Sequence, residues 1–102
     1  MESPARDEPL ETRLVYVRGQ VQGIGYRQAC VRRATALGVT GWVCNLMDGS
    51  VEAVLQGSPE QLAEMCAWLI DGMSAALVEE LQVTAVQPPF ARFDSFERMP
   101  TV

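Results

Sequence analysis

The chain is predicted to adopt an α+β fold, a ferredoxin-like split βαβ sandwich. It would have an antiparallel sheet of four to five strands and two helices on one face. Three observations predict this. Short β-branched runs alternate with two helical periodicities in the order β-α-β-β-α-β, with a further β at the end. An Asp-Gly pair joins the two middle strands as a hairpin. The 102 residues leave room for one hydrophobic core and no second domain.

The elements follow in order. Residues 1–11 are charged and interrupted by Pro4 and Pro9, which predicts a flexible N-terminal tail. The folded domain is expected over residues 12–98, with a C-terminal tail over 99–102. Residues 13–18 (RLVYVR) form the first strand, with Val15 and Val17 facing one way and Leu14 and Tyr16 the other. Gly19, Gly23 and Gly25 then interrupt regular structure. Tyr26, Cys30, Ala34 and Leu37 recur on one helical face, and Gly38 is suited to stop that helix. Residues 40–45 and 51–56 are the hairpin strands around Asp48-Gly49. Ser58 caps the second helix, Pro59 takes its first position, and Gln61 completes a capping box. Leu62, Met65, Cys66 and Leu69 form its buried stripe, and Gly72 ends it. Leu77 to Val86 is the next strand, with Leu81, Val83 and Ala85 alternating against polar neighbours and Pro88-Pro89 stopping it. Phe90, Phe93 and Phe96 are assigned to a short last strand.

Composition excludes several chemistries. The chain has no histidine, and all eight of its basic residues are arginines. There is thus no Ser-His or Cys-His nucleophile pair and no histidine-based zinc site. The absence of lysine removes a Walker-type lysine and a Schiff base. Cys30, Cys44 and Cys66 lack C-x-x-C pairing, fall among apolar residues, and are read as buried structural thiols. No metal or cofactor is expected. The longest apolar runs are too short for a membrane span, no secretion signal is visible, and a cytoplasmic location is the default. A monomer without membrane or nucleic-acid partners is expected, since an acidic chain is poorly suited to binding phosphate backbones.

The net charge of −5 hides a segregation. Residues 1–11 carry −3 and residues 45–102 carry −7, whereas residues 12–44 carry five arginines and no acid. That third of the chain attracts anions. It contains Gly19-Gln20-Val21-Gln22-Gly23-Ile24-Gly25-Tyr26-Arg27, a glycine-rich turn between a strand and a helix. Such a turn aims several backbone N–H groups into one concavity, and the helix start adds unsatisfied donors. Arg27, in the first helical turn, can add a guanidinium to the same anion. Arg18, Arg32 and Arg33 are read as surface charges. Asn45, at the end of the second strand, could hold a water near an anion bound in the loop. Its other reading is a turn residue bonding the local backbone.

Together these segments carry a resemblance. Residues 17–27 resemble the acylphosphatase signature V-x-G-x-V-Q-G-V-x-Phe/Tyr-R, with Ile24 and Tyr26 as conservative variants. Residues 38–45 resemble the family's second signature, G-W-V-x-N, at the expected distance downstream. Asp48 to Glu52, Gln56-Gly57, Trp68-Leu69 and the Phe93 to Phe96 segment continue the match, so it spans roughly residues 13–97. The resemblance implies a ferredoxin-like fold and hydrolysis of small-molecule acyl phosphates without metal or cofactor. It implies that Arg27 binds the phosphate, that the Gln20–Gly25 backbone forms the phosphate loop, and that Asn45 orients the attacking water. Phosphoryl transfer asks mainly for positioning and charge stabilisation, which such a loop and one arginine can supply. Two other readings use the same fold. A non-catalytic domain holding a small anion has no evident need of Asn45. An RNA-binding sheet needs exposed aromatics on its central strands, and residues 51–56 have none.

Overall fold

The computed structural model describes residues 9–102. In chain order its elements are β1 (Glu11–Gln20), α1 (Tyr26–Leu37), β2 (Thr40–Asn45), β3 (Val51–Gly57), α2 (Pro59–Asp71), β4 (Leu77–Ala85) and β5 (Phe96–Arg98). They build a five-stranded sheet in the order β4-β1-β3-β2-β5. The β1–β3, β1–β4 and β2–β3 pairs are antiparallel, as predicted for a split βαβ sheet. β5 departs from that prediction because it pairs parallel to β2, so the sheet is mixed. After β4 the chain crosses to the opposite edge and enters it in the direction of β2.

The alternation read in β1 decides which face is covered. Val15 and Val17 are fully buried against both helices, while Leu14 and Tyr16 lie on the other face, half-buried. Val43, Ala53 and Leu55 join the same core from β2 and β3. α1 contributes Tyr26, Cys30 and Ala34, and α2 contributes Leu62, Met65 and Leu69, the stripes expected from their periodicities. Burial of such side chains contributes roughly 1.5–3 kcal/mol each. α2 begins as predicted. Ser58 accepts from the Gln61 N–H, and the Gln61 side chain accepts from the Ser58 N–H. The Gln61 amide also donates to the Leu37 carbonyl at 2.9 Å, which ties the end of α1 to the start of α2.

The outer strands, one thiol and the chain ends differ in detail from the sequence pattern. Val83 is 44% exposed and Ala85 is exposed, because β4 is an edge strand whose far half the helices do not cover. Of the three phenylalanines only Phe96 lies in a strand, where it is buried; Phe90 and Phe93 precede it in irregular chain. Cys30 and Cys44 are buried free thiols, but Cys66 is only half-buried at the margin of the α2 stripe. Of the tail placed over residues 1–11, residues 1–8 lie outside the described residues, and Glu11 already opens β1 by pairing with Gly57. The last four residues also bond to the strand beside them. The Met99 N–H donates to the Val43 carbonyl at 2.8 Å and the Val102 N–H to the Asn45 carbonyl at 3.0 Å. Met47 in turn donates to the Val102 carbonyl, so residues 99–102 run on beside β2.

Candidate active site

β1 and β2 both run antiparallel to β3, so they point the same way and end at the same end of the sheet. β5, parallel to β2, ends there too. This brings together three stretches that are far apart in sequence: the Val21–Gly25 turn, Asn45 and the C-terminal residues. Between them lies a cleft of about 170 Å3, lined by the turn, the start of α1, Asn45 and Arg98.

The turn is held by its own residues. Val21 is buried and Ile24 packs against the core margin. The Gln22 side-chain amide donates to the carbonyls of Leu46 and Ser50 at 2.8 and 2.7 Å, which fastens the turn to the β2–β3 hairpin. Gly25 sits at φ +80° as the N-terminal cap of α1, a left-handed conformation that costs another residue about 1–2 kcal/mol. α1 therefore starts with no side-chain cap and no acidic residue in its first turn, whereas α2 has both. None of the N–H groups of Gln22, Gly23, Ile24 and Gly25 donates to another group among the described residues. Gln22, Gly23 and Gly25, whose N–H groups are unpaired, thus line the cleft beside an uncapped helix start, and such groups attract an anion.

The predicted site residues divide. Val21, Gln22, Gly23, Gly25, Arg27 and Asn45 line the cleft together; Gln20 and Ile24 do not. Gln20 stays in β1 opposite Leu77. Arg27 is half-buried, and its guanidinium donates through Nη1 to the Met99 carbonyl at 2.8 Å, which leaves other N–H groups for a ligand. Asn45 shares the core-facing side of β2 with Val43, two residues earlier. Its Oδ1 is buried and has no hydrogen-bond partner among the described residues. A buried acceptor left unpaired costs about 1–3 kcal/mol, so its position invites a donor.

Arg98 and the Met99 carbonyl were not anticipated from the sequence. The available signal was alternation: Arg98 stands two residues after buried Phe96, on a face where an apolar residue is expected.

Neighbouring groups are chemically quiet. The Asp48 carboxylate accepts from the Ser50 hydroxyl and N–H and from the Tyr16 hydroxyl, bonds that hold its pKa below the usual carboxylate range. Among the described residues no carboxylate side chain lines the cleft. The Tyr26 hydroxyl donates to the Leu69 carbonyl, its ring stacks on Trp68 at 6.0 Å, and burial keeps it neutral by raising its pKa. Burial pushes the Cys30 thiol up to about 12. Cys44 is raised by burial and by Glu52, against the opposing pull of Arg27, so no reactive thiolate is formed. Among the described residues no cluster of three His, Cys, Asp or Glu side chains could hold a metal. A larger concavity of about 620 Å3 lies at the other end of the sheet, beside Leu10 and Gly57. There the Gln56 amide is already satisfied by Thr12, Ala91 and Phe93.

The fold and cleft define a class: a small ferredoxin-like α+β domain with a candidate anion site between β1 and α1. Comparison with known proteins makes this specific. Residues 13–98 match the acylphosphatase family model. The chain is 70% identical over 93 residues to Acylphosphatase 1 of Ralstonia nicotianae, covering 91% of each chain. It is 54% identical over 97 residues to an acylphosphatase of Polaromonas naphthalenivorans, covering 95% of this chain and 96% of the other. The solved structure of an acylphosphatase from Coxiella burnetii superposes with a TM-score of 0.84 at 26% identity, covering 96% of this chain and all of that one. The chain belongs to the acylphosphatase family and is an acylphosphatase-type hydrolase.

Proposed function

We propose that the chain hydrolyses acyl phosphates to a carboxylate and inorganic phosphate by direct attack of water on phosphorus. The Gln20–Gly25 loop, through the free N–H groups of Gln22 to Gly25, and the Arg27 guanidinium hold the phosphoryl oxygens. Asn45 orients the water. The observation that carries this reading is the buried, unpartnered Asn45 Oδ1 in the same cleft as Arg27 and the loop donors. An acceptor there receives a hydrogen bond from one water O–H and so directs a water lone pair toward a phosphorus held by the loop.

The new bond joins the water oxygen to phosphorus while the bond from phosphorus to the acyl oxygen breaks. The electron pair leaves on the carboxylate, a good leaving group that needs little protonation. The water's proton passes to a phosphoryl oxygen, because an amide cannot take it at neutral pH. The loop donors and Arg27 stabilise the charge spread over the equatorial oxygens.

The test is a substrate panel run in EDTA. Acetyl phosphate and benzoyl phosphate should be hydrolysed, and p-nitrophenyl phosphate, with its poorer leaving group, should be far slower. Arg27→Ala should lower kcat/KM for the acyl phosphates by about 10³-fold. Equal rates on both substrate classes, or full activity in Arg27→Ala, would overturn the proposal.

A further inference from the structure

Arg98 is the one cleft-lining arginine that the reaction described above leaves without a task. It stands in β5 opposite Val43 in a parallel pair, so it shares the core-facing side of the sheet with Val43, Phe96 and Asn45. Strands are about 5 Å apart with about 3.3 Å per residue, so the Arg98 and Asn45 α-carbons lie roughly 8 Å from each other. Phe96 on that face is buried, but Arg98 comes at the open end of the sheet and is exposed. Arg27 is half-buried in the same cleft and tied to the Met99 carbonyl, one residue beyond Arg98. Among the described residues no carboxylate pairs with Arg98, although ion pairs form elsewhere, as between Arg18 and Glu80. The cleft therefore holds two guanidiniums at two depths and no compensating acid.

We propose that Arg98 is a specificity-determining residue: it meets the acyl part of the substrate and favours acyl phosphates whose acyl chain carries a second negative charge. The inference rests on the function proposed above. The inner guanidinium and the loop serve the phosphoryl group, and the acyl group projects from them toward the exposed rim. A carboxylate or phosphate on that group meets the Arg98 fork there, a planar donor pair matched to either anion. A neutral acyl chain gains nothing at this point, so discrimination arises from the difference between the two substrates.

The experiment compares two acyl phosphates. Acetyl phosphate has a neutral acyl group, and succinyl monophosphate carries a carboxylate at the far end. Each is measured with wild type, Arg98→Gln and Arg98→Lys, and calorimetric binding of inorganic phosphate reports that the inner cleft is formed in each variant. Arg98→Gln should lower kcat/KM for succinyl phosphate about fivefold more than for acetyl phosphate, the scale of an exposed ion pair. Arg98→Lys should keep most of the selectivity. The difference should persist at about 0.5 M salt, where the screening length is only about 4 Å and long-range steering is suppressed.

Equal losses on both substrates, or an unchanged ratio, overturn the assignment. A difference that vanishes at high salt overturns it too, since Arg98 would then only steer. Failure of wild type on acetyl phosphate sinks the hydrolase reading and this one together. Turnover of acetyl phosphate without charge selectivity removes only the role of Arg98.

Discussion

At the scale of single residues, the cleft contrasts satisfied and unsatisfied groups. Tyr26 and Gln22 line it with their side-chain donors bonded to backbone carbonyls, and Asp48 is bonded within the adjoining hairpin turn. Asn45 Oδ1 and the loop N–H groups are incomplete, and the proposed reaction assigns its work to them. Replacing Asn45 by Ala should therefore lower kcat by about 10²-fold, because a misplaced nucleophile is costly. Inorganic phosphate should still bind within about twofold of wild type, since the loop and Arg27 remain. Calorimetry beside steady-state kinetics checks this; a loss of phosphate affinity matching the loss of kcat would make Asn45 a phosphate ligand instead. Its amide was legible from the second signature, but its unpartnered oxygen was not, because that depends on what the other strands leave beside it.

At the scale of elements, the two helix starts show how one fold assigns opposite tasks. α2 closes its first turn with Ser58 and Gln61, while α1 leaves its first turn open to the cleft. Ser58→Ala should cost about 1 kcal/mol, the usual effect of losing a cap. Gln61→Ala should cost more, about 2 kcal/mol, because it also removes the bond to the Leu37 carbonyl. Gln61→Glu separates the two contributions: it keeps the acceptor for Ser58 and sets a carboxylate against that carbonyl. Urea denaturation should rank the variants Ser58→Ala, then Gln61→Ala, in falling stability, and the reverse order would refute the role of the Leu37 bond. The capping box was legible because it is local. The bond across to α1 was not, because residues 37 and 61 meet only after both helices have packed on the sheet.

At the scale of the whole molecule, the absence of histidine shapes the pH response. The carboxyl of Asp48, bonded by Ser50 and Tyr16, and that of Glu80, bonded by Gln82 and Arg18, both ionise at lower pH in the folded chain. Their stabilisation is present above the unfolded values near 4 and is lost as pH falls through the lower folded values. Burial raises the Cys30 thiol to about 12. Its contribution is complete below an unfolded value near 9 and is lost as pH rises from there toward 12. Tyr26 adds the same alkaline trend. The Tm should thus be flat between about pH 5 and pH 8 and fall on both sides. Thermal melts across that range check it, and a step near pH 6.5 would contradict it.

Legible along the chain were the element order, the inward face of β1, the helix stripes, the α2 cap and the residues of the two signatures. Each is a short-range pattern, written in spacings of two to four residues or in a contiguous turn. It took the folded arrangement to set β5 parallel to β2, to leave Val83 exposed on an edge and to pin residues 99–102 to β2. That arrangement alone placed the Met99 carbonyl on Arg27 and Arg98 at the rim. Those features depend on which strand ends meet at one end of the sheet, and contacts across 70 residues of chain leave no periodic trace in the sequence.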